Sequence, residues 1–569
     1  MKKIRFGTPE EFVPTKFCKN LNYQETDIQY DLSKITYKQT NRGCVIELPL
    51  QYQEEVYGFG LQLKGFRHKG TKKTLRTNSD PVANTGDSHA PVPFFVTTNG
   101  YGIYLDTARN ATFYCGYGKN KNRPPKPNNA VTVTAEALYE KTALEEDTVM
   151  AIEIPYAKGI DLYLFEGDTI TDIVAQYNQF SGGGCDVPEW GLGVYYRCYV
   201  KSTGDQVMEQ AKYFRDNQIP CDVIGLEPGW HSRSYPCSYQ WDSERFPNYR
   251  EVVEYLRKND FHINLWEHAF IDATSPLYHE MKEHSGDFEV WQGLVPDFVT
   301  EEARKRFSDY HRKHLIDLGI DGFKLDECDN SDFVLDWSFP DCIEFPSGID
   351  GDVYHNLFGT LYMQTMLEAL GEHETFSEVR QAGALASSYP FVLYSDLYDH
   401  RDFIRGVVNC GFSGLLWTPE VREGKTKTDF IRRLQTAVFS VQCLINAWYC
   451  EQAPWLEFGC EEEVKALLNE RKKLIPTLKK AFEKYHRTGI PPVRALVMDY
   501  TADPETYGID DEYLLGDSLL VAPMTAEQSQ RRVYLPKGEW TDYWTGKTVP
   551  SGWLDVRTDN IPVYVKAER

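Results

Sequence analysis

Residues 301–329 read EEARKRFSDYHRKHLIDLGIDGFKLDECD. Over 301–319 apolar side chains return at helical spacing, among them Ala303, Phe307 and Tyr310, and Gly319 ends the run. Gly322 to Leu325 then read as a short strand that runs straight into Asp326 and Glu327. The same pattern repeats on both sides. GLGVYYRCY (191–199) precedes the helical DQVMEQAKYFRDN (205–217), CDVIGLEPGW (221–230) precedes REVVEYLRKND (250–260), and FHINLWEHAF (261–270) follows. Downstream, HNLFGTLYMQTMLEALG (355–371) leads into TFSEVR (375–380) and FVLYSDLYD (391–399), and DFIRGVVNCG (402–411) into FSGLLWTPE (412–420) and INAWYCE (445–451). Strand–helix alternation repeated about eight times predicts a (β/α)8 barrel over residues 181–485. The rival, a doubly wound sheet, should open with a Gly-rich phosphate turn, and none is present.

The flanks have a different texture. Residues 1–180 carry short β-branched or aromatic runs, GCVIELPLQ, PVPFFVTT, GYGIYLDT, ATFYCGY and AVTVTAE, punctuated by Gly, Asn and Pro. They predict an N-terminal β-sandwich. Residues 119–129, KNKNRPPKPNN, read as a polar loop whose prolines preclude a helix. Residues 486–569 return to strands, DEYLLGDSLLVAPM, RRVYLPKGEWTDYW and IPVYVKA, and predict a short C-terminal β-sandwich.

Across 569 residues, 41% hydrophobic and 25% charged, the composition is that of a folded globular chain. The net charge of −23 argues against nucleic-acid or anionic-membrane partners. No apolar run approaches the ~20 residues that span a bilayer. The 13 cysteines show no CxxC pair and the 13 histidines no HxH or HExxH spacing, so neither a metal nor another cofactor is expected. A basic N-terminus without an apolar stretch, together with scattered thiols, leads us to expect a cytoplasmic protein.

Several of the presumed barrel strands end on a carboxylate: Glu227, Glu267, Asp326 with Glu327, Glu378, Asp396 and Glu420. One such residue is ordinarily the N-cap of the next helix, but caps favour Asp over Glu, and so many endings exceed that need. All converge on the C-terminal mouth, where barrels do their chemistry. Acids beside aromatics suit glycoside hydrolysis, because carboxylates trap or stabilise an oxocarbenium-like transition state and a second acid protonates the leaving oxygen. The aromatic content, 14%, supplies the flat faces on which sugar rings lie. Trp230, Trp266, Tyr394 and Trp417 are expected to line the mouth, with Glu227, Lys324, Arg380 and Glu420 binding hydroxyls. The segment GDSHAP, with Asp87 and His89, is expected to reach over as a lid. Lys324 and Asp326 lie two apart on one strand and share a face, which predicts a cation beside Asp326.

The chain resembles glycoside hydrolase family 31, collinearly through most of its length. VPEWGLGVYYRCYVKS is similar to the family's barrel entry, IPCDVIGLEPGW with WDSERFPN to its third-strand region, and WQGLVPDFVTEEARKRF to the stretch before its nucleophile strand. IDGFKLDECD resembles that strand, EVRQAGALASSYPFVLYSDL the run ending in the acid/base, and DEYLLGDSLLVAP the small β-domain behind the barrel. The resemblance implies a retaining mechanism with Asp326 as nucleophile and Asp396 as general acid/base, acting on an oligosaccharide or glycoside. Four departures are present, most of them around the sugar. Tyr394-Ser395-Asp396 is one residue shorter than the family's aromatic-Ser-Gly-Asp, Glu227 and Glu420 stand where Asp is usual, and INAWYCEQAPW lacks a common His. GLEPGW and TGDSHAPVPFF resemble a branch that includes α-galactosidases. The expected activity is therefore an exo-acting α-glycosidase on α-galactosides or α-glucosides. Transglycosylation, elimination as in the family's lyases, and an inactive sugar-binding relative are the alternatives. A homo-oligomer is one arrangement the sequence allows.

Overall fold

The computed structural model describes residues 1–79, 81–118, 148–332, 334–396, 399–422 and 424–567. The polar loop at 119–129 and the strand expected in AVTVTAE lie outside the described residues.

The N-terminal region is a sandwich of two five-stranded antiparallel sheets. Strict alternation builds it: Thr148, Met150, Ile152 and Ile154 of strand Thr148–Pro155 face inward while their neighbours face out. They meet Ile46, Leu48, Ile103, Phe113 and Leu164 in a dry core. Helix Ile170–Phe180, started by a Thr169–Asp172 capping box, carries the chain to the barrel.

Among the described residues seven strands and one extended segment, labelled β7, form the barrel: β1 (Val194–Arg197), β2 (Val223–Leu226), β3 (His262–His268), β4 (Gly322–Asp326), β5 (Ser377–Val379), β6 (Phe391–Leu393), the segment β7 (415–421) and β8 (Cys443–Asn446). Seven pair in parallel in one sheet, with β1 between β2 and β8. The ring closes through β7, which bridges Leu393 at Trp417 and Ile445 at Val421. Pro419 has no N–H to give, so β7 pairs only near its ends. The sequence placed Glu227 in a third-strand region; in the sheet it ends the second strand. The regular alternation also lapses once, since the β5–β6 connection, 380–390, which ends at Pro390, has no helix. Among the described residues no helix is long and apolar enough to cross a membrane.

Helix Glu461–Thr488 closes the bottom of the barrel. Its fully buried Arg471 donates to the carbonyls of Leu192, Val438 and Val441 at 2.7, 2.9 and 2.9 Å, satisfying chain segments that feed β1 and β8. A six-stranded sheet and a two-stranded sheet then form the C-terminal unit around Leu520, Val533 and Trp540. Tyr57 ties all three regions together. Its ring stacks on Phe412 of the barrel at 5.2 Å, and its hydroxyl donates to the Tyr507 carbonyl at 2.9 Å.

Candidate active site

Inward-facing residues at the C-terminal ends of the strands make a layered site. The deepest layer is charged and dry. Arg197, from the end of β1, pairs with Glu227, donates to Asn264 at 2.7 Å and lies 3.6 Å from Glu378. Glu378 also accepts from Asn264 at 2.8 Å and Gln442 at 2.9 Å. Burial pushes its pKa up to about 7, against the pull of Arg197 and Lys324.

Above this layer the Lys324 ammonium stands 3.5 Å from Glu227 and 3.6 Å from Glu420. Burial opposes its charge, but Glu227 and Glu420 outweigh burial and raise its pKa. Glu420 accepts from Asn446, and its Oε2 is buried without a hydrogen-bond partner. An ammonium and carboxylates held just beyond mutual hydrogen-bond contact are suited to hydroxyl groups that donate to one and accept from the other. The sequence placed Lys324 beside Asp326. The shared face is as expected, but the four-carbon stem carries the charge across the barrel to β2 and β7.

The upper layer holds the two candidate catalytic carboxylates. Asp326 accepts from Trp266 Nε1 at 2.7 Å and from the Glu327 backbone at 2.9 Å. Arg380 supplies the cation expected of Lys324: its Nη1 is 3.5 Å from Asp326 and 2.7 Å from Asp396, while Nε donates to Asp329 at 3.0 Å. Arg422 donates to the Asp396 side chain at 3.2 Å and to its backbone carbonyl at 2.7 Å. Desolvation of the covered half of the Asp396 side chain pushes its pKa up, but Arg380, Lys324 and Arg422 overcome it and hold the carboxyl well below its usual range. Two guanidiniums facing Asp396 favour its ionised form. Tyr394 lies under Lys324, its ring 4.5 Å from the ammonium.

The remaining expected residues divide. Trp266 touches Asp326 directly. Trp230 does not face the cleft; its indole donates to the Trp266 carbonyl at 2.7 Å and braces β3. Trp417 is a core residue, not a mouth residue: its indole donates to the Phe403 carbonyl at 3.2 Å and lies against Gly406 of the flanking helix. His89 does reach the site, but as a buried wedge in place of a lid, 3.4 Å from Asp329 and 3.4 Å from Ser395. Burial, then Arg380, keeps it neutral. Asp87 stays outside, held by Arg76 at 2.8 Å, which also grips Asp332 at 2.6 Å in the loop after β4. Arg197, Asp329 and Arg422 were missed. Arg197 ends β1 and Arg422 directly follows the segment 415–421, so the strand-end reading given to Lys324 and Arg380 would have found them; Asp329 lies three residues past β4 and carried no such signal.

Family models match most of the chain: the glycosyl hydrolase 31 N-terminal galactose mutarotase-like domain over 22–113, the glycosyl hydrolases family 31 TIM-barrel domain over 185–481, and the family's C-terminal domain over 489–569. Among curated proteins, alpha-glucosidase 2 of Bacillus thermoamyloliquefaciens is 27% identical over 90% of this chain and 66% of its own length. An alpha-xylosidase of Emericella nidulans is 23% identical over 91% and 67%. The chain thus spans about two thirds of the length of these relatives. Among solved structures, a dextranase of Flavobacterium johnsoniae complexed with glucose superposes with a TM-score of 0.78 at 21% identity, covering 94% of this chain and 68% of that one. The cycloalternan-forming enzyme of Listeria monocytogenes gives 0.77 at 20%, covering 93% and 54%. With barrel and both flanking domains matched in order, the chain belongs to glycoside hydrolase family 31 and is a glycoside hydrolase.

Proposed function

We propose that the chain is a retaining, exo-acting α-glycosidase that hydrolyses terminal α-linked hexosides, with Asp326 as nucleophile and Asp396 as general acid/base. One observation carries the retaining assignment. A single nitrogen of Arg380 lies 2.7 Å from Asp396 and 3.5 Å from Asp326, so these two oxygens can be no further apart than those lengths laid end to end. That limit falls short of the ~6.5 Å at which inverting pairs begin, which supports retention.

In the first step Asp326 attacks the anomeric carbon, the glycosidic bond breaks, and the proton on Asp396 passes to the leaving oxygen. In the second, Asp396 takes a proton from water, which displaces Asp326 from the ester. About half of the Asp396 side chain, 51%, is exposed. A sugar that covers it removes that hydration and drives its pKa upward, toward the protonated form the first step needs.

The Glu227–Lys324–Glu420 layer closes the floor, so one terminal ring fits with its hydroxyls on these groups. Galactose is the hexose we favour, because Glu227 is a methylene longer than the Asp of the family's glucosidases. Turnover of a panel of nitrophenyl α-glycosides tests activity and hexose together. The α-galactoside should be cleaved; efficient cleavage of maltose with none of α-galactosides would contradict the preference.

A further inference from the structure

On the outer wall of the barrel lies a cavity of about 490 Å³ that the catalytic layers do not use. Arg197 points into the barrel, where it pairs with Glu227, so its neighbour Tyr196 points outward. The Tyr196 ring packs edge-on against Phe214 of helix Gly204–Asp216, centroids 5.0 Å apart, and against Trp455 of helix Pro454–Glu457 at 5.8 Å. Strand β1 thus gives the cavity its floor. Its walls are helix Gly204–Asp216, the loop 198–202 after β1 and the loop 450–453 after β8. The Val200 N–H donates to the Trp448 carbonyl at 2.6 Å and ties the two loops together.

The lining is polar and directional. In the capping box of the helix, the Gln206 amide oxygen accepts from the Thr203 N–H at 2.9 Å, which leaves its NH2 to donate elsewhere. One turn on, and so on the same helix face, the amide nitrogen of Gln210 is buried without a hydrogen-bond partner. A buried donor left unmet is rare in a folded protein, because nothing offsets its lost hydration. Glu209 and Glu451 bring acceptors to the same cavity. The Tyr213 hydroxyl already accepts from Trp455 Nε1 at 3.0 Å and pairs with Glu461, so what Tyr213 has left to offer is its ring.

We propose that this cavity is a second sugar site, separate from the catalytic mouth, which takes one uncharged hexose. The ligand must accept from the amides and donate to the carboxylates, and hydroxyl groups do both. An ammonium could pair with the glutamates but has no lone pair for Gln210. An anion meets Lys201 against Glu209 and Glu451, an unfavourable balance. An apolar ligand would leave the Gln210 donor unmet. The phenol ring supplies the flat apolar face that a pyranose covers, and the volume lies in the range of small-molecule sites. The inference goes beyond the glycosidase reading and needs neither Asp326 nor Asp396.

Crystals of the intact protein soaked in D-galactose or D-glucose test the site directly. A pyranose should occupy the cavity with a hydroxyl within hydrogen-bond distance of the Gln210 nitrogen; a cavity that holds only water with both sugars overturns the inference. Two variants then act by different means. Gln210→Leu removes the donor, and because that donor is unmet the change should leave Tm unchanged or raise it. A lower Tm would contradict the unmet donor on which the site rests. Ser202→Trp fills the cavity from the opposite wall. Equilibrium dialysis with the same two sugars should count one hexose per chain fewer for either variant than for the intact protein, and equal counts overturn the inference. Turnover of nitrophenyl α-glycosides should be unchanged in both variants, since neither residue reaches the mouth; a loss in both would overturn the separateness of the site. Should the intact protein cleave no glycoside, the glycosidase reading fails, and the dialysis count still decides the cavity.

Discussion

Arg380 sits between the two carboxylates that do the proposed chemistry and sets the proton inventory of the site. Asp326→Ala should abolish turnover of every substrate, because no other carboxylate can form the ester. Asp396→Ala should cost about 10²–10⁴-fold on substrates with poor leaving groups, spare the first step with good ones, and be partly rescued by azide. An α-glycosyl azide among the products checks that assignment. Arg422 offers a finer probe. It lowers the Asp396 pKa, so Arg422→Gln removes a cation from the acid, and the alkaline limb of the kcat/KM profile should move to higher pH. An unmoved limb would mean that Asp396 is not the titrating acid. Side-chain identity was readable at this scale and reach was not: period two put Lys324 and Asp326 on one face, but only coordinates show the ammonium leaving for Glu227 and Glu420.

At the scale of elements, β4 to β6 bring Lys324, Asp326, Glu378, Arg380 and Tyr394 together because each strand is short and ends at the mouth. Their order along the chain was legible from alternation of texture. The face of Trp417 was not, since a Pro two residues later breaks the ladder and with it the simple inward–outward count. Nor was the helix-free β5–β6 connection, whose Ala-rich RQAGALASSYP carries only Gly383 and a final Pro390 as breakers. Glu378 on β5 makes a stability prediction. Folded, it keeps its proton to about 7; unfolded, it loses it near the ordinary 4.5. The native state therefore binds the extra proton in that window, and its contribution, roughly 3 kcal/mol at the low-pH end, is lost as pH rises through it. The wild-type Tm should fall between pH 5 and 7 more steeply than that of Glu378→Gln. Parallel curves would contradict this.

The molecule as a whole is one packed body. Buried side chains from the sandwich, the barrel and the C-terminal sheet, among them Tyr57, Phe94, Tyr513 and Val563, belong to one continuous cluster. Calorimetry should therefore show a single cooperative transition, and Tyr57→Ala should lower stability by about 3–5 kcal/mol, as for a buried aromatic at a junction. Separate transitions for the sandwich and barrel would contradict the shared core. The three domains were recognisable from texture, while their union was not, because contacts such as Tyr57 with Phe412 and Tyr507 join residues hundreds of positions apart. The same long-range closure delivers His89 to the catalytic layer. The central claim, retention by the Asp326–Asp396 pair, is tested most directly by nuclear magnetic resonance of the first-formed sugar released from an α-glycoside. Retention releases the α-anomer first, with the β-anomer growing only by mutarotation; a β-anomer formed first means inversion and removes Asp326 as nucleophile.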